Sequence, residues 1–230
     1  MPSVRIVTQT FTIRNIGNAG LSLTDSPRVT IGGPHAADFA LTSDAGTPVA
    51  AGGQTTFQVR FAPSAAGLRQ ATISIANSDA DENPYDFSIR GTGTTPEMDV
   101  QGNGISIADG DTTASTADHT DFGNAAMEGG SVTRTFTILN TGSADLSFTS
   151  SPRVTIAGTH AADFALTSDA GTLIAAGGQT TFQIRFAPSA AGLRQATISI
   201  ANTDADENPY NFSIQGTGTT SIYLPIVLND

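Results

Sequence analysis

Carboxylate side chains are concentrated in two short loops that have almost the same sequence. Six residues make up these two clusters: Asp79, Asp81, Glu82, Asp204, Asp206 and Glu207. Grouped carboxylate oxygens are the ligands that calcium prefers in proteins. The alternative is that Asp and Asn side chains stabilise the turns by accepting hydrogen bonds from nearby backbone N–H groups. The sequence therefore predicts calcium as a candidate ligand at these loops and no other cofactor.

A second acidic segment lies between the two loops. It carries Asp109, Asp111, Asp118 and Asp121, but its spacing is not that of an EF-hand calcium loop. Calcium binding and turn stabilisation are again the alternatives.

Histidine and aspartate occur close together at two equivalent positions. His35 and His160 each precede the sequence Ala-Ala-Asp-Phe. Such a pair could serve in acid–base catalysis, but no activated nucleophile accompanies it. We expect instead that His and Asp cap the turn that positions Phe39 and Phe164. The chain also has no Cys and no Lys, and we predict that it is not an enzyme.

The whole chain is built from one long repeat. Residues Thr8–Thr95 and Thr133–Thr220 align without a gap, and about 15 of the 88 aligned positions differ. A period of this length is a complete domain, because solenoid repeats run to roughly 20–50 residues. We predict a first domain over 1–95 and a second over 96–220. The opening segment 96–130 has no counterpart in the first domain, which therefore lacks strands that the second has.

The composition excludes two classes of partner. The net charge is −11, so binding to nucleic acid through clustered cations is not expected. No apolar stretch is long enough for a membrane span, so we expect no direct membrane insertion. The first residues have no apolar signal core, and we expect any secretion signal to lie outside this chain.

Apolar residues alternate with polar ones over most of the chain. Phe182, Ile184 and Phe186, for example, alternate with Gln183 and Arg185. This period of two is typical of antiparallel sheets with one face on a core and the other in water. The inward positions predict two cores, one formed by Phe11, Phe57, Phe61, Ile73 and Phe87 and the other by Phe136, Phe182, Phe186, Ile198 and Phe212.

The same patterns predict the strands of the second copy, separated by turns rich in Gly, Asn, Asp and Pro. The predicted ranges are 97–102, 120–124, 131–139, 145–149, 153–157, 163–167, 179–187, 193–201 and 209–216. One helical turn is expected within 159–163.

Four motifs in the second copy occur in a characteristic order: TFTILNTGSADL, HAADFAL, FQIRFAPSAAGLRQATISIAN and ENPYNFSIQGTGT. This order resembles the choice-of-anchor D repeats of large bacterial surface and secreted proteins, which are related to ASH/Hydin-type and major-sperm-protein-like sandwiches. Residues 96–125 look like the first strand and following loop of that family. The resemblance covers 8–220. It implies an all-β protein of two tandem immunoglobulin-like antiparallel β-sandwiches at the bacterial cell surface or outside the cell, with no catalytic residues.

The last ten residues, 221–230, form an apolar tail of strand length. Its alternating residues are Ile222, Leu224, Ile226 and Leu228. The tail could fill the place of the missing strand in the first domain of a second copy, giving head-to-tail assembly. It could also pack on its own second domain, or serve as an anchoring signal.

These observations favour a non-catalytic structural module of an extracellular bacterial surface or filament protein, with copies of itself as partners. The alternative is an adhesin-type binding module that recognises protein or carbohydrate through the loops at one end of a sandwich. Exposed aromatic residues grouped at one loop end would favour the adhesin.

Overall fold

The computed structural model describes residues 6–220, which are almost entirely β-structure. The predicted all-β fold class is confirmed. The chain divides into two compact units with the boundary between Thr94 and Thr95, called here the first and second units. Within residues 6–220 no helix is both long and apolar enough to cross a membrane. The predicted assembly strand with Ile222, Leu224, Ile226 and Leu228 lies outside the described residues.

The first unit contains two three-stranded antiparallel sheets. One sheet has the order β1-β4-β3 and the other β2-β5-β6. The strands are β1 (Val7–Arg14), β2 (Thr30–Gly32), β3 (Phe39–Ser43), β4 (Gln54–Phe61), β5 (Gly67–Ile75) and β6 (Tyr85–Gly93).

The second unit has the same two sheets with additional strands. Its strands are β7 (Met98–Gly102), β8 (Ile105–Ile107), β9 (Asp121–Ala126), β10 (Val132–Asn140), β11 (Leu146–Ser147), β12 (Val154–Ala157), β13 (Phe164–Ser168), β14 (Leu173–Ile174), β15 (Gln179–Phe186), β16 (Gly192–Ile200) and β17 (Tyr210–Thr219). One sheet has the order β13-β15-β10-β7-β8 and the other β12-β16-β17-β9, while β11 and β14 form a small pair.

The two copies of the repeat pair their strands in the same register. Phe11 lies opposite Phe57 in the first unit, and Phe136 lies opposite Phe182 in the second. A short 3₁₀ turn precedes β3 and β13, at Ala36–Asp38 and Ala161–Asp163. The predicted helical turn within 159–163 is therefore confirmed.

The units differ at the edges of their sheets. In the second unit β7 pairs with β10, and β9 pairs with β17. Within residues 6–94 no strand occupies either place beside β1 or β6. The β9–β17 pair is parallel, which the antiparallel prediction did not include. Parallel strands cannot be joined by a tight turn, and here strands β10 to β16 lie in the chain between β9 and β17. The short strands β8 and β14 were also not predicted.

The predicted core of the second unit is confirmed, because all five of its residues are at most 1% exposed. The predicted core of the first unit is wrong in part. Phe57 and Ile73 are buried, but Phe11, Phe61 and Phe87 are only partly buried. Their equivalents in the second unit are covered by side chains from β7 and β9, which include Val100 and Phe122.

Candidate functional site

The acidic loop of the first copy is organised by asparagine side chains. Asn77 donates hydrogen bonds to the carbonyl oxygens of Ile75 and Glu82, at 3.0 Å each, and its Oδ1 accepts one from the N–H of Asp79 at 2.7 Å. Asn83 accepts a hydrogen bond from the N–H of Asn77. The turn-stabilising alternative thus holds for the asparagines. Asp79, Asp81 and Glu82 themselves are exposed.

The equivalent loop of the second copy has a different environment. Asp204 is only 2% exposed, and its Oδ2 accepts a hydrogen bond from the N–H of Met98 at 2.7 Å. Glu97, Asp204 and Asp206 each place a carboxylate oxygen within 4.8 Å of the others. Among residues 6–220 this is the only group of three potential metal ligands this close together. Calcium at both loops stays a prediction, but the two copies do not offer it equal sites.

Residues 6–94 contain no counterpart of Glu97, which belongs to the segment 96–130 in front of the aligned part of the second copy. Sequence reasoning placed Glu207 in the cluster instead. In the structure Glu207 lies nearby but outside the group of three, and its Oε2 is buried with no hydrogen-bond partner among the described residues.

Burial and the charges of neighbouring carboxylates make Asp204 and Glu207 hard to ionise. Burial is the main cause that raises the pKa of Asp204 to about 6, with a further contribution from Asp206. Burial and the nearby charge of Asp204 raise the pKa of Glu207 to about 7. In the first copy the neighbouring Asp81 raises the pKa of Asp79. A proton or a cation would relieve the repulsion in the second copy.

The other acidic segment does not form one site. Asp111, Asp118 and Asp121 each accept a hydrogen bond from the backbone N–H two residues further along, at 2.8, 3.0 and 2.8 Å. Asp109 accepts one from the N–H of Asn211 at 2.6 Å. Asp111, Asp118 and Asp121 therefore stabilise turns, and Asp109 binds a backbone N–H of β17.

The repeated His and Asp residues are structural, but not in the predicted way. Neither His35 nor His160 caps its own 3₁₀ turn, and the Nδ1 of each accepts a hydrogen bond from the backbone of β5 or β16. Asp163 is buried and forms an ion pair with Arg194. The same pair joins Asp38 to Arg69 in the first unit. These residues fix the turn against the adjacent strand.

The first unit has an open side, where residues are exposed whose equivalents in the second unit are buried. Tyr85 is 50% exposed, whereas its equivalent Tyr210 is 2% exposed. Two grooves expose the apolar interior of this unit, with volumes of about 640 Å³ and 480 Å³.

The larger groove, called here the β1 groove, runs along β1. Its apolar lining includes Phe11, Ile13, Phe57 and Phe87, and Asp79 lies at its rim. The equivalent position in the second unit is filled by β7, with Val100 opposite Ile138. Asp79 corresponds to Asp204, the carboxylate that accepts the N–H of Met98 at the start of β7.

The smaller groove, called here the β6 groove, runs along the second half of β6. It is lined by Phe11, Phe39 and Phe61 together with Ile89 and the backbone of Gly91. The equivalent position in the second unit is filled by Phe122 of β9. Sequence reasoning found the missing segment but not these grooves, because alternation marks an inward residue without showing what covers it.

Residues 114–217, in the second unit, match the family described as the HYDIN/CFA65/VesB-like Ig-like domain. This match supports an immunoglobulin-like domain there. The narrower resemblance to choice-of-anchor D repeats stays a prediction. A search of curated proteins found no significant match.

Several solved structures are similar to this chain. A protein of unknown function from Porphyromonas gingivalis is 16% identical with a TM-score of 0.39, over 94% of this chain and 92% of that one. The ASH/PapD-like domain of human CEP192 is 14% identical with a TM-score of 0.33, over 54% and 87%. The C-terminal domain of the AgI/II polypeptide BspA of Streptococcus agalactiae is 12% identical with a TM-score of 0.27, over 92% and 83%.

Proposed function

We propose that this chain is a non-catalytic structural module of an extracellular bacterial surface or filament protein, and that the first unit is completed by a strand from another copy. The observation that carries the proposal is the contrast between equivalent aromatic residues. Phe136, Phe186 and Phe212 are fully buried in the second unit, while Phe11, Phe61 and Phe87 are partly exposed in the first.

The β1 groove is the acceptor in this proposal. An edge strand with unpaired N–H and C=O groups beside an apolar groove is a template for an added strand. By analogy with β7 on β10, such a strand would lie antiparallel to β1 with alternate side chains in the groove. In this proposal Asp79, at the rim, accepts a hydrogen bond from a backbone N–H of the added strand. Asp204 accepts such a bond from the N–H of Met98 in the second unit.

The C-terminal tail is the donor in this proposal. Its residues Ile222, Leu224, Ile226 and Leu228 alternate as an inward face requires. Pro225 has no N–H, which an added edge strand tolerates on its outer side. Ten extended residues reach about 33–36 Å, enough to follow all of β1. Donation from one copy to the next is head-to-tail and propagates into a filament unless the rotation closes a ring.

The bacterial surface setting is supported by the resemblance of the repeats described above. The adhesin alternative has less support, since Tyr85 is the only aromatic residue among the large exposed apolar side chains of the described chain. A group of exposed aromatics at one loop end, which would favour it, is not found within residues 6–220.

Deletion of residues 221–230 tests the proposal. Sedimentation velocity of the full chain is expected to show oligomers whose size grows with concentration, and the truncated chain is expected to be monomeric. A full-length variant with Leu224→Asp and Ile226→Asp is the matched control for loss of chain length, and it is expected to behave like the truncated chain. An unchanged oligomeric state together with unchanged stability of the first unit would rule out donation by the tail.

A further inference from the structure

The β6 groove differs from the β1 groove in its shape and in the strand direction it would accept. Its walls are three phenylalanine rings, those of Phe11, Phe39 and Phe61. In the second unit the equivalent rings surround a single side chain, Phe122. The ring centroid of Phe122 lies 6.4 Å from that of Phe136, 5.5 Å from that of Phe164 and 6.1 Å from that of Phe186.

The groove is already in its occupied shape. The ring centroids of Phe39 and Phe61 are 4.9 Å apart, and those of Phe164 and Phe186 are also 4.9 Å apart around Phe122. Phe61 lies directly over Gly91, where a Cβ atom would come within 2.5 Å of the ring, and Phe186 lies over Gly216 in the same way. A site that keeps its geometry when empty binds without the cost of rearrangement.

The backbone of β6 is ready to pair on this side. In the second unit the N–H of Gln215 donates to the carbonyl of Thr120 at 2.9 Å, and the carbonyl of Thr219 accepts the N–H of Met127 at 3.0 Å. The equivalent groups in the first unit are the N–H of Arg90 and the carbonyl of Thr94. Since β6 pairs with β5 in the register that β17 keeps with β16, these groups face the same open side.

One substitution between the copies adds charge to this site. In the second unit the Gln215 side chain donates to Oδ2 of Asp121, the residue just before Phe122, at 2.9 Å. The first unit has Arg90 at that position. A guanidinium group in place of an amide would strengthen a contact with a carboxylate.

We propose that the β6 groove of the first unit binds an extended peptide carrying an Asp-Phe pair, in parallel with β6. The Phe side chain enters the space between Phe11, Phe39 and Phe61, and the Asp pairs with Arg90. The small residues after Phe122, Gly123 and Ala125, indicate that the peptide must be narrow beyond the aromatic anchor. This site lies beside the β1 groove and shares Phe11 with it, but its strand position is along β6, and it does not depend on the tail, which has no Phe.

A labelled peptide with the sequence of residues 117–128, ADHTDFGNAAME, tests the site by fluorescence anisotropy against the full chain. Saturable binding is expected, and the same peptide with Phe122→Ala should bind at least about tenfold more weakly, because it lacks the buried ring. A peptide with Asp121→Asn should show weaker binding and less dependence on salt.

Two variants of the protein locate the binding. Arg90→Pro removes the outward N–H and fills the space beside it, whereas Arg90→Gln keeps the N–H and restores the residue found in the second unit. We expect Arg90→Pro to abolish peptide binding and Arg90→Gln to retain most of it. Should the Arg90→Pro variant fail to fold, the comparison of the parent peptide with the Phe122→Ala peptide still tests whether the aromatic side chain is bound.

No saturable binding, equal binding of the Phe122→Ala peptide, or full binding by a folded Arg90→Pro variant would each overturn the proposal. The result is separable from that for the tail. Loss of assembly on deletion of 221–230 bears on the β1 groove, while peptide binding to the full chain shows that the β6 groove is not taken by the tail.

Discussion

The same aspartate has different chemistry in the two copies because its neighbours differ. Asp79 is exposed, whereas Asp204 is buried against the start of β7 and lies beside Glu97. The loop sequences around them are almost identical. The acid–base properties of the second loop therefore come from a strand about a hundred residues away in the chain, which completes the sandwich around it.

The raised pKa values predict the pH dependence of the second unit. Because the folded pKa of Asp204 is about 6 and that of Glu207 about 7, the folded state binds more protons than the unfolded state between about pH 4 and pH 7. The stability contribution is complete below the unfolded pKa and is lost as pH rises through the folded values. Thermal unfolding should show the second unit more stable at pH 5 than at pH 8.

Replacing the titrating groups tests this assignment. Asp204→Asn keeps an acceptor for the Met98 N–H but cannot ionise, and combined with Glu207→Gln it should flatten the pH profile. Asp79→Asn in the first copy is the matched control and should have a smaller effect. A profile unchanged by the double substitution would contradict the account.

Calcium binding stays a prediction. Because Glu97 lies beside Asp204 and Asp206, we expect calcium to bind more strongly at the loop of the second copy than at that of the first. Added calcium would neutralise Glu97, Asp204 and Asp206, and a ligand that binds the native state raises thermal stability. We expect the second unit to melt at a higher temperature in millimolar calcium than in chelator, and Glu97→Gln to remove that difference. Identical melting curves for the parent chain in calcium and in chelator would contradict calcium binding at this loop.

The buried ion pair of each repeat is a structural element with a measurable contribution. Arg194→Ala leaves Asp163 buried without its partner, which should cost about 3–5 kcal/mol of unfolding free energy. Arg153→Ala breaks a more exposed pair with Asp169 and should cost roughly 0–1 kcal/mol. Equal losses in chemical denaturation would show that burial does not distinguish the two pairs.

At the scale of the strands, equivalent strands of the two copies differ in whether a neighbouring strand pairs with their outer edge. β10 is an interior strand between β15 and β7, while its equivalent β1 has a neighbour on one side only in the described chain. The same comparison applies to β17 and β6. Within residues 6–220, two nearly identical sequences thus form a sandwich with covered sheet edges in the second unit and one with open edges in the first.

Matched truncations measure this difference. Phe136→Ala removes a fully buried ring and should cost about 3–5 kcal/mol of unfolding free energy. Phe11→Ala removes a ring that is partly exposed in the first unit and should cost less when the chain is dilute. Thr197→Ala, on the outer face of β16, should have little effect on the stability of the second unit. Equal costs for the two phenylalanines would mean that Phe11 is covered as completely as Phe136.

Local pattern was enough to predict most strands but not their neighbours. Alternation at Phe182, Ile184 and Phe186 predicted β15 correctly, because one face of that strand is buried by its own sheet partner and the opposite sheet. The burial of Phe61 was predicted wrongly, because the burial of its equivalent Phe186 depends on β9, and residues 6–94 contain no strand in that place. The cluster with Glu97 was missed for the same reason, since Met98–Gly102 brings it to the loop by long-range pairing.

For the whole molecule, the proposed assembly depends on the open side of the first unit. Unpaired strand edges beside apolar grooves attract further strands. The described part of the first unit has a groove that would take an antiparallel strand along β1 and a groove that would take a parallel strand along β6. The first suits the alternating tail of another copy, and the second suits a peptide with an aromatic anchor. In this proposal, one copy of the repeat is a complete domain and the other accepts an added strand.

Site-resolved amide hydrogen exchange of the full chain, measured over a range of concentrations, tests strand addition to the first unit most directly. The β1 amides that face away from β4 should gain protection as the concentration rises, because a strand from another copy pairs with them. The outward amides within residues 136–140 of β10 in the same sample should stay constant, since β7 already pairs with this part of the strand. Equal protection of the β1 amides at every concentration would contradict the central claim.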